Sequence, residues 1–467
     1  MTTLKKVLTL RTVTSTSAGM ALATSCYLAG LQVALILEGE LAWISILVAG
    51  VFCLLASLCF SELTSQYPTA AGIKLFIQNA FSEKAAIVIG TFYVILGISM
   101  VGAESYLLSS VLAGTIHLVS PIVDRVFWIT LFIVLVAFIN YRGVQLTGLV
   151  QDIMTYVMIG FLVLVSVYSL TRTGVDMRAA LASPRFTLGN VMQAAAVGVF
   201  LYVGFEWVTP LAEETTDYRL IGKGMLIAIG ILSITYSLFV VAMWMGLTPA
   251  QRASGTPIPH ILFGRNLFGV PGMLLFVLMS ILASATSFNS GLLNTSRFAY
   301  AMARDSVLPR AFSRLHPDHA TPWFSILALT IFALAISFFI LVTGKYLFII
   351  VMAAALECFI YVVMALCVLR LRAKLPDNPR DFKIPLGPVI PIVVMIVFTA
   401  LLLGIFTDSS KDSAGTVLFQ NYWVAVAMAI FFLVCLLYTL LVTPVLKKKA
   451  AERVFARVKR RPGKEPG

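Results

Sequence analysis

Long apolar stretches, repeated along the whole chain, constrain the fold of this protein more than any other feature. The sequence contains twelve of them, separated by short polar segments, and a helix of about 20 apolar residues crosses the hydrocarbon core of a bilayer. The backbone finds no water in that core, so spanning stretches of this length must be helical. Charged residues make up only 12% of the chain, about half the fraction of soluble domains. The sequence therefore predicts an all-α integral membrane protein with 12 transmembrane helices.

The fourth stretch is shorter than the others, and its helix could extend into residues 121–124 or 140–143. After the second helix, Pro68 and Gly72 predict a short re-entrant or interfacial segment, because both residues favour turns. The twelve predicted helices cover residues 13–37, 41–66, 85–111, 126–139, 147–170, 190–212, 222–246, 271–303, 323–342, 346–369, 387–406 and 422–442.

Positive charges are distributed unevenly between the two sides of this predicted bundle. Cytoplasmic segments of membrane proteins are enriched in Lys and Arg, and a cytoplasmic N-terminus places most of the 34 Lys and Arg residues on that side. We therefore expect a multi-pass protein of the cell (plasma) membrane with both termini cytoplasmic. The net charge of +13 follows from this orientation and requires no nucleic-acid partner. The basic tail 444–467 is expected to lie against anionic lipid, with regulation or a protein partner as the alternative.

The sequence contains no motif that carries enzyme chemistry. It has no H-E-x-x-H, no G-x-x-x-x-G-K-[ST] and no G-x-S-x-G, the patterns of metalloproteases, nucleotide-binding loops and serine hydrolases. The six cysteines all fall inside predicted spans and show no metal-ligand spacing; they are Cys26, Cys53, Cys59, Cys358, Cys367 and Cys435. We expect neither an enzyme nor a cofactor or metal, and a transport process here would draw its energy from ion or solute gradients.

The most unusual apolar stretch is residues 190–216. It is long enough to cross a bilayer, yet it contains Gly204, the carboxylate Glu206 and Pro210. Proline lacks the N–H that an inner helical position requires and clashes with the preceding turn. A carboxylate at membrane depth costs about 2.5–3.5 kcal/mol on insertion scales and normally faces protein, water or a ligand. The stretch is therefore interpreted as an interrupted helix that frames a small-molecule site.

The first predicted helix is also unusual, because Ser, Thr and Gly residues fill its centre. Small residues of this kind support close helix packing in membranes, which is one explanation. A second interrupted helix is the other, and interruptions at corresponding positions of two halves indicate a transporter binding site.

Three acidic residues, Glu104, Glu206 and Glu357, lie inside predicted helices with no comparably central Lys or Arg. Buried anions of this kind indicate proton binding or a cationic solute. In the eighth helix, Ser287 and Asn289 are possible ligands of a small cation, although packing is the alternative for such groups. The expected coupling ion is therefore H⁺ or Na⁺.

Four stretches of the chain, taken in order, resemble the amino acid–polyamine–organocation permeases. They are S-E-L-T-S-Q-Y-P-T-A-A-G (61–72), N-Y-R-G-V-Q-L-T-G (140–148), F-L-Y-V-G-F-E-W-V-T-P-L-A-E-E (200–214) and S-R-F-A-Y-A-M-A-R-D-S-V-L-P-R-A-F-S-R-L-H-P (296–317). The resemblance implies a five-plus-five inverted repeat with broken helices 1 and 6, plus two extra helices. After the N-terminus (1–12), the repeats would be 13–170 and 190–370, followed by helices in 387–443 and the tail.

The same resemblance implies a substrate site midway across the membrane, between helices 1 and 6. It assigns substrate contacts to the helix-1 break at Ala23, Thr24, Ser25 and Cys26, and to Phe200, Tyr202, Gly204, Phe205 and Glu206 of helix 6. In this assignment Phe200 is an aromatic gate and the carbonyl groups of 204–206 take the substrate amine. Glu206 would act in coupling.

Two departures from the family pattern concern the substrate and the coupling ion. The family's Gly-Ser-Gly-like break is A-T-S-C here, which weakens the expected recognition of an α-carboxylate and admits an amine or polyamine as the alternative substrate. Met158 stands where several proton-coupled members have a lysine. The expected function is secondary active transport of an amino acid or related amine by alternating access, as a permease or antiporter. The alternative is a non-transporting membrane sensor with the same fold.

Overall fold

A computed structural model describes residues 4–37, 39–174, 181, 183–254, 258–378, 380–407, 409–411 and 417–459 of the chain. In these ranges, eleven helices are long and apolar enough to cross a membrane, and a bent pair at the start supplies a twelfth span. The predicted all-helical membrane fold with 12 spans is confirmed.

The helices differ in length but follow the predicted order. They are α1 (Leu10–Ala21), α2 (Thr24–Leu37), α3 (Ala42–Gln66), α4 (Gly72–Ala80), α5 (Glu83–Ala113), α6 (Pro121–Arg142), α7 (Val144–Thr173), α8 (Leu188–Val199), α9 (Arg219–Gly246), α10 (Pro249–Ala253), α11 (Pro259–Arg304), α12 (Trp323–Thr343), α13 (Tyr346–Lys374), α14 (Val389–Thr407) and α15 (Tyr422–Lys459). Three 3₁₀ segments, Phe200–Tyr202, Phe205–Glu213 and Arg310–Ser313, complete the helical structure of the described residues.

Most spans are longer than predicted, and three of them are extended the most. The helix α6 includes both extensions that the sequence leaves open, and the helix α11 begins twelve residues before the predicted position 271, with a kink at Gly269. The helix α15 continues without interruption beyond the predicted end at 442, as far as Lys459. Part of the basic tail is therefore helical, while residues 460–467 lie outside the described residues.

A small β-ladder separates the last two helices, which the all-helical prediction does not include. The strands β1 (Ser409–Lys411) and β2 (Val417–Gln420) pair antiparallel. Both lie between α14 and α15, outside the helices. The ladder leaves the helical bundle unchanged.

The first span is interrupted where the sequence predicts, with a shift of the break by one or two residues. The axes of α1 and α2 are bent by 62°, and only Leu22 and Ala23 lie between them. Thr24, Ser25 and Cys26, predicted to lie in the break, form the first turn of α2 instead. The N–H of Cys26 donates to the carbonyl of Ala23 at 3.1 Å, whereas the N–H of Thr24 has no helical partner, because the first N–H groups of a helix have no carbonyl of a preceding turn to bond.

The sixth span is interrupted at Gly204. The helix α8 ends at Val199, a 3₁₀ turn follows, and Gly204 adopts a left-handed conformation with φ of +101°. A Cβ atom there would lie 2.4 Å from Cγ of Met20 in α1, so only glycine fits this close approach of the two broken spans. The chain then continues as a 3₁₀ helix through Pro210. Val203 and Gly204 therefore separate two 3₁₀ segments, and Phe205 and Glu206, predicted to be unwound, begin the second of these segments.

Candidate functional site

A cavity of about 930 Å³ lies beside the two interrupted spans. Its wall combines α2, the second half of α5, the helix α8, the first half of α13 and the end of α14. The side chains in the wall are apolar or neutral, and no charged residue is among the described residues that line it. Its volume falls within the range of small-molecule sites, about 300–1,000 Å³.

Three of the predicted substrate residues line this cavity, namely Thr24, Ser25 and Phe200. The others lie next to it but are not part of its wall; they are Ala23, Cys26, Tyr202, Gly204, Phe205 and Glu206. The Tyr202 hydroxyl donates to the carbonyl of Ile46 at 2.8 Å, and the Phe205 carbonyl accepts from the Ser17 hydroxyl at 2.7 Å. These two groups connect the broken sixth span to α3 and α1.

Behind the floor of the cavity, which Thr24 and Ser25 form, lies the buried carboxylate of Glu104, which accepts hydrogen bonds from the first turn of α2. Its Oε2 accepts from the backbone N–H of Thr24 at 3.1 Å, and its Oε1 accepts from the Ser25 hydroxyl. Leu107 and Val111, one and two turns further along α5, share its helix face and line the cavity. The carboxylate therefore lies directly beneath Thr24 and Ser25, at the break of the first span.

The carbonyl groups around this break are already bonded to side chains. Met20 O accepts from Ser287 at 3.1 Å and Leu22 O from Thr286 at 3.2 Å, both residues of α11. Ala21 O accepts from Tyr236 of α9 at 2.7 Å. The predicted cation ligand Ser287 is therefore placed at the first span.

The second predicted cation ligand, Asn289, is placed elsewhere. Its Nδ2 donates to Gln151 at 2.8 Å and to the carbonyl of Thr147 at 3.3 Å, while its Oδ1 accepts from Asn140. These contacts connect α11 to α6 and α7. The amide of Asn289 is therefore bonded within the protein through both its oxygen and its nitrogen. No group of three or more His, Cys, Asp and Glu residues in the described part of the chain could hold a metal ion.

The other two predicted coupling residues, Glu206 and Glu357, form an acidic pair below the cavity. Glu206 accepts from the Tyr361 hydroxyl at 2.9 Å and from the Tyr93 hydroxyl at 3.4 Å. Glu357, one turn before Tyr361 on α13, accepts from Trp207 Nε1 at 2.9 Å. All five side chains are buried. Successive residues of the sixth span are thereby bonded to successive turns of α13, which closes the bundle below the cavity.

The ring of Trp207 is held by a close helix contact. It stacks on Tyr93 with ring centroids 4.1 Å apart. A Cβ atom added at Gly97 would lie only 2.0 Å from the Cη2 atom of this ring. Only a residue without a side chain at position 97 allows α5 to approach this ring.

We expect Gly97→Ala to lower the free energy of unfolding by about 1–3 kcal/mol, the usual cost of overpacking a core. The added methyl group must displace Trp207 from Glu357, so tryptophan fluorescence should shift in the same variant. Gly160→Ala is the matched control, because no atom lies within 4 Å of a Cβ there and alanine favours the helix. Equal melting temperatures for the two variants would contradict this packing.

Ion pairs close the side of the bundle on which the N-terminal segment lies. That segment is anchored there by the N–H of Val7, which donates to the carbonyl of Glu214 at 2.9 Å. The pairs connect the end of the sixth span, α3 and α4 to α11 and α13; they are Arg297–Glu214 (2.9 Å), Arg304–Glu213 (2.6 Å), Lys74–Asp305 (2.7 Å) and Arg372–Glu62 (2.5 Å).

The Arg297–Glu214 pair is buried. Arg297 lies inside α11 with a side chain that is 0% exposed. Buried charges of this type require a partner, and Glu214 is 1% exposed. A buried cation is therefore present in a span, near the closed end.

A further contact on this side lies at the surface. The Asp381 carboxylate accepts from the Tyr218 hydroxyl and from Arg219 Nε at 3.1 Å. The hydroxyl and the guanidinium lower the pKa of Asp381 below its ordinary value, since both stabilise the ionised form. This contact therefore weakens only in acid, as pH falls through that lowered pKa.

Sequence reasoning missed Tyr93, Trp207 and Tyr361, which surround the acidic pair. The spacing Glu357–Tyr361 is a signal that was available, because residues four apart share a helix face. The position of Trp207 directly after Glu206 in the sequence is a second available signal. Nothing in the sequence indicates that these groups meet Tyr93.

Comparison with known proteins identifies relatives over almost the whole length of the chain. A sequence model described as amino acid permease matches residues 8–450. The branched-chain amino acid permease BcaP of Bacillus subtilis is 27% identical, with 84% of each chain covered. The methylthioribose transporter of the same organism is 25% identical over 84% of this chain and 85% of its own. The vacuolar cationic amino acid transporter 4 of Arabidopsis thaliana is 29% identical over 72% and 58%, respectively.

Proposed function

The chain belongs to the amino acid permease family, and we propose from this premise that it is a secondary transporter for an amino acid or a related amine. Alternating access is the proposed mechanism. The observation that carries the proposal is the cavity of about 930 Å³ beside two interrupted spans. Interrupted helices leave backbone groups without helical partners at membrane depth, where they can bind a polar solute.

The relatives support a small polar solute and leave its class open. Two of them are named for amino acids, branched-chain and cationic, and the third is named for methylthioribose. The cavity wall of this chain is apolar, with neutral polar groups at a few positions. Such a wall fits a solute with an apolar body better than a strongly charged one.

The proposed cycle begins in the arrangement seen here, with the cavity above the breaks and the ion pairs closed below. Solute enters from the side of the α2 C-terminus and binds over Thr24, Ser25 and Phe200. Opening of the other side then requires separation of the pairs around Arg297 and Glu206. With the N-terminus cytoplasmic, the cavity faces the outside of the plasma membrane and the ion pairs face the cytoplasm.

Coupling is proposed to use a proton on the Glu206–Glu357 pair. The two carboxylates belong to contacts that must break when the closed side opens. A proton would reduce their mutual repulsion at that step. The alternative coupling ion is sodium bound at Ser287, because the Ser287 hydroxyl and the Met20 carbonyl lie together and are oxygen groups of the kind that bind small cations.

We expect Phe200→Ala to raise the KM for transport by roughly tenfold. Burying an aromatic side chain of this size contributes about 1.5–3 kcal/mol, and 1.4 kcal/mol corresponds to a factor of ten. Uptake kinetics in proteoliposomes measure the change. Phe339→Ala is the matched control, because Phe339 lies on α12 with 52% of its surface exposed, away from the cavity. An unchanged KM would remove Phe200 from the substrate site.

The proposed function is tested by counterflow in proteoliposomes. Vesicles are loaded with an unlabelled solute, and uptake of the same radiolabelled solute is followed for a panel of amino acids and amines. A carrier gives saturable uptake that the internal solute accelerates. Binding in detergent without any flux would favour the sensor, and absence of both binding and flux across the panel would contradict the proposed function.

A further inference from the structure

The carboxylate of Glu104 takes the hydrogen-bond donors that the break in the first span offers. The N–H of Thr24 and the hydroxyl of Ser25 both donate to it. They belong to the first turn of α2, where free N–H groups and the helix dipole favour an anion. The protein's own carboxylate therefore occupies the position where a carboxylate of a solute would gain the most.

Glu104 has no positively charged partner among the described residues. The ion pairs of the described chain use other acids, and the only groups within hydrogen-bonding distance of Glu104 are neutral donors of α2. The side chain is 2% exposed. A second carboxylate brought to the cavity floor would meet this negative charge at short range, whereas an ammonium group would be attracted to it.

The cavity wall offers a carboxylate no positively charged partner. No Lys, Arg or His of the described chain lines it, and its polar groups at the floor are the two hydroxyls of Thr24 and Ser25. No Asp or Glu of the described chain lines it either, so the far ammonium group of a diamine would have no carboxylate to pair with. Leu28, Val111, Phe200 and Val203 leave an apolar space above the floor.

We propose that the transported solute is a primary monoamine with an apolar body and no free carboxylate, and that Glu104 determines this specificity. The ammonium group binds over Thr24 and Ser25, with the Glu104 charge directly behind them, and the apolar body fills the space beneath Phe200. This inference rests on the proposed transport function and narrows its substrate class.

The test compares pairs of molecules that differ only in the carboxylate. The probes are 3-methylbutylamine against L-leucine, 2-phenylethylamine against L-phenylalanine, and ethylamine against L-alanine, with binding measured as the shift in melting temperature of the purified full-length protein. We expect the amine of at least one pair to bind at least tenfold more tightly than its amino acid and to exchange in proteoliposomes. Tighter binding or exchange of the amino acids, with the amines inactive, would overturn the inference and leave the proposed function standing. If no member of any pair and no other panel solute binds or exchanges, the proposed function fails with it.

Two variants locate the effect at Glu104. Glu104→Gln keeps an oxygen for the Thr24 N–H but removes the charge, so amine binding should weaken at least tenfold. Glu83→Gln is the matched control, since it makes the same chemical change on the same helix at a side chain that is 48% exposed. Unchanged amine affinity in Glu104→Gln, with a melting temperature of the ligand-free variant close to that of the unmodified protein, would contradict the assignment. If that variant does not fold, the comparison of the three pairs decides alone.

Discussion

Replacing Arg297 by alanine is expected to lower the free energy of unfolding by about 3–5 kcal/mol, because the Glu214 carboxylate loses its partner in a buried site. Both side chains of this pair are at most 1% exposed, with 2.9 Å between Arg297 Nε and Glu214 Oε2. Removing one partner leaves a charge that neither water nor another side chain stabilises. Equilibrium unfolding in mixed micelles measures the loss.

Arg304→Ala is the matched control for this prediction. Arg304 binds Glu213, the neighbour of Glu214, but its side chain is 44% exposed. Water replaces a lost partner at such a site, and we expect a change of about 1 kcal/mol or less. Equal free energies of unfolding for the two alanine variants would contradict the prediction that burial of the Arg297 pair makes its loss more costly.

Replacing Glu206 by glutamine is expected to slow counterflow by about 10- to 100-fold while the melting temperature changes little. Hydrogen bonds to a charged group contribute about 1.5–3 kcal/mol each, which corresponds to that range of rates. Glu206 accepts from Tyr361 and Tyr93 where the bundle is closed, so loss of its charge changes the balance between closed and open states. Proteoliposome exchange and thermal unfolding separate the two effects.

The control for Glu206→Gln is Asp377→Asn, the same loss of charge in an exposed segment after α13. It should exchange at the unmodified rate. Tyr361→Phe should slow exchange in the same direction as Glu206→Gln, because it removes one of the two donors. Normal exchange by a well-folded Glu206→Gln protein would exclude this residue from the mechanism.

The interruptions of the spans were predictable from the sequence because their causes are local. Glycine, proline and runs of hydroxyl residues act through the backbone of their own segment. The left-handed Gly204 and the bend after Ala21 lie within a few residues of the predicted positions. The apolar length of each span determines the number of crossings in the same local way.

The partners of the buried acids were not predictable, because each contact joins residues that are distant in the chain. Glu104 and Thr24 are 80 positions apart, and Tyr361 and Glu206 are 155 apart. Apolar periodicity indicates that a residue faces the protein, but it does not indicate which helix lies opposite. The burial of Arg297 was not predictable for the same reason, since only the position of Glu214 shows that the charge can be buried.

The same limit of sequence-based prediction applies to the single side chains of the predicted substrate residues. Thr24, Ser25 and Phe200 line the cavity, whereas the Tyr202 hydroxyl bonds to α3 and the Phe205 ring packs on Phe60 and Tyr361. Phe200 and Tyr202 belong to one 3₁₀ turn but point in different directions, and the direction depends on the exact residue at which α8 ends. Helix ends read from sequence are too imprecise for that distinction.

Reciprocal thiol accessibility tests the central claim, alternating access through the cavity, most directly. In a background without the six native cysteines, a single cysteine replaces either Gln193, exposed in the cavity wall, or Thr209, buried on the closed side with no partner for its hydroxyl. A membrane-impermeant maleimide is applied from each side in turn, with and without a transported solute. The account predicts that Gln193→Cys reacts from the cavity side and Thr209→Cys from the N-terminal side, and that solute changes the two rates in opposite directions. Rates that change together, or a Thr209→Cys thiol that never reacts, would contradict it.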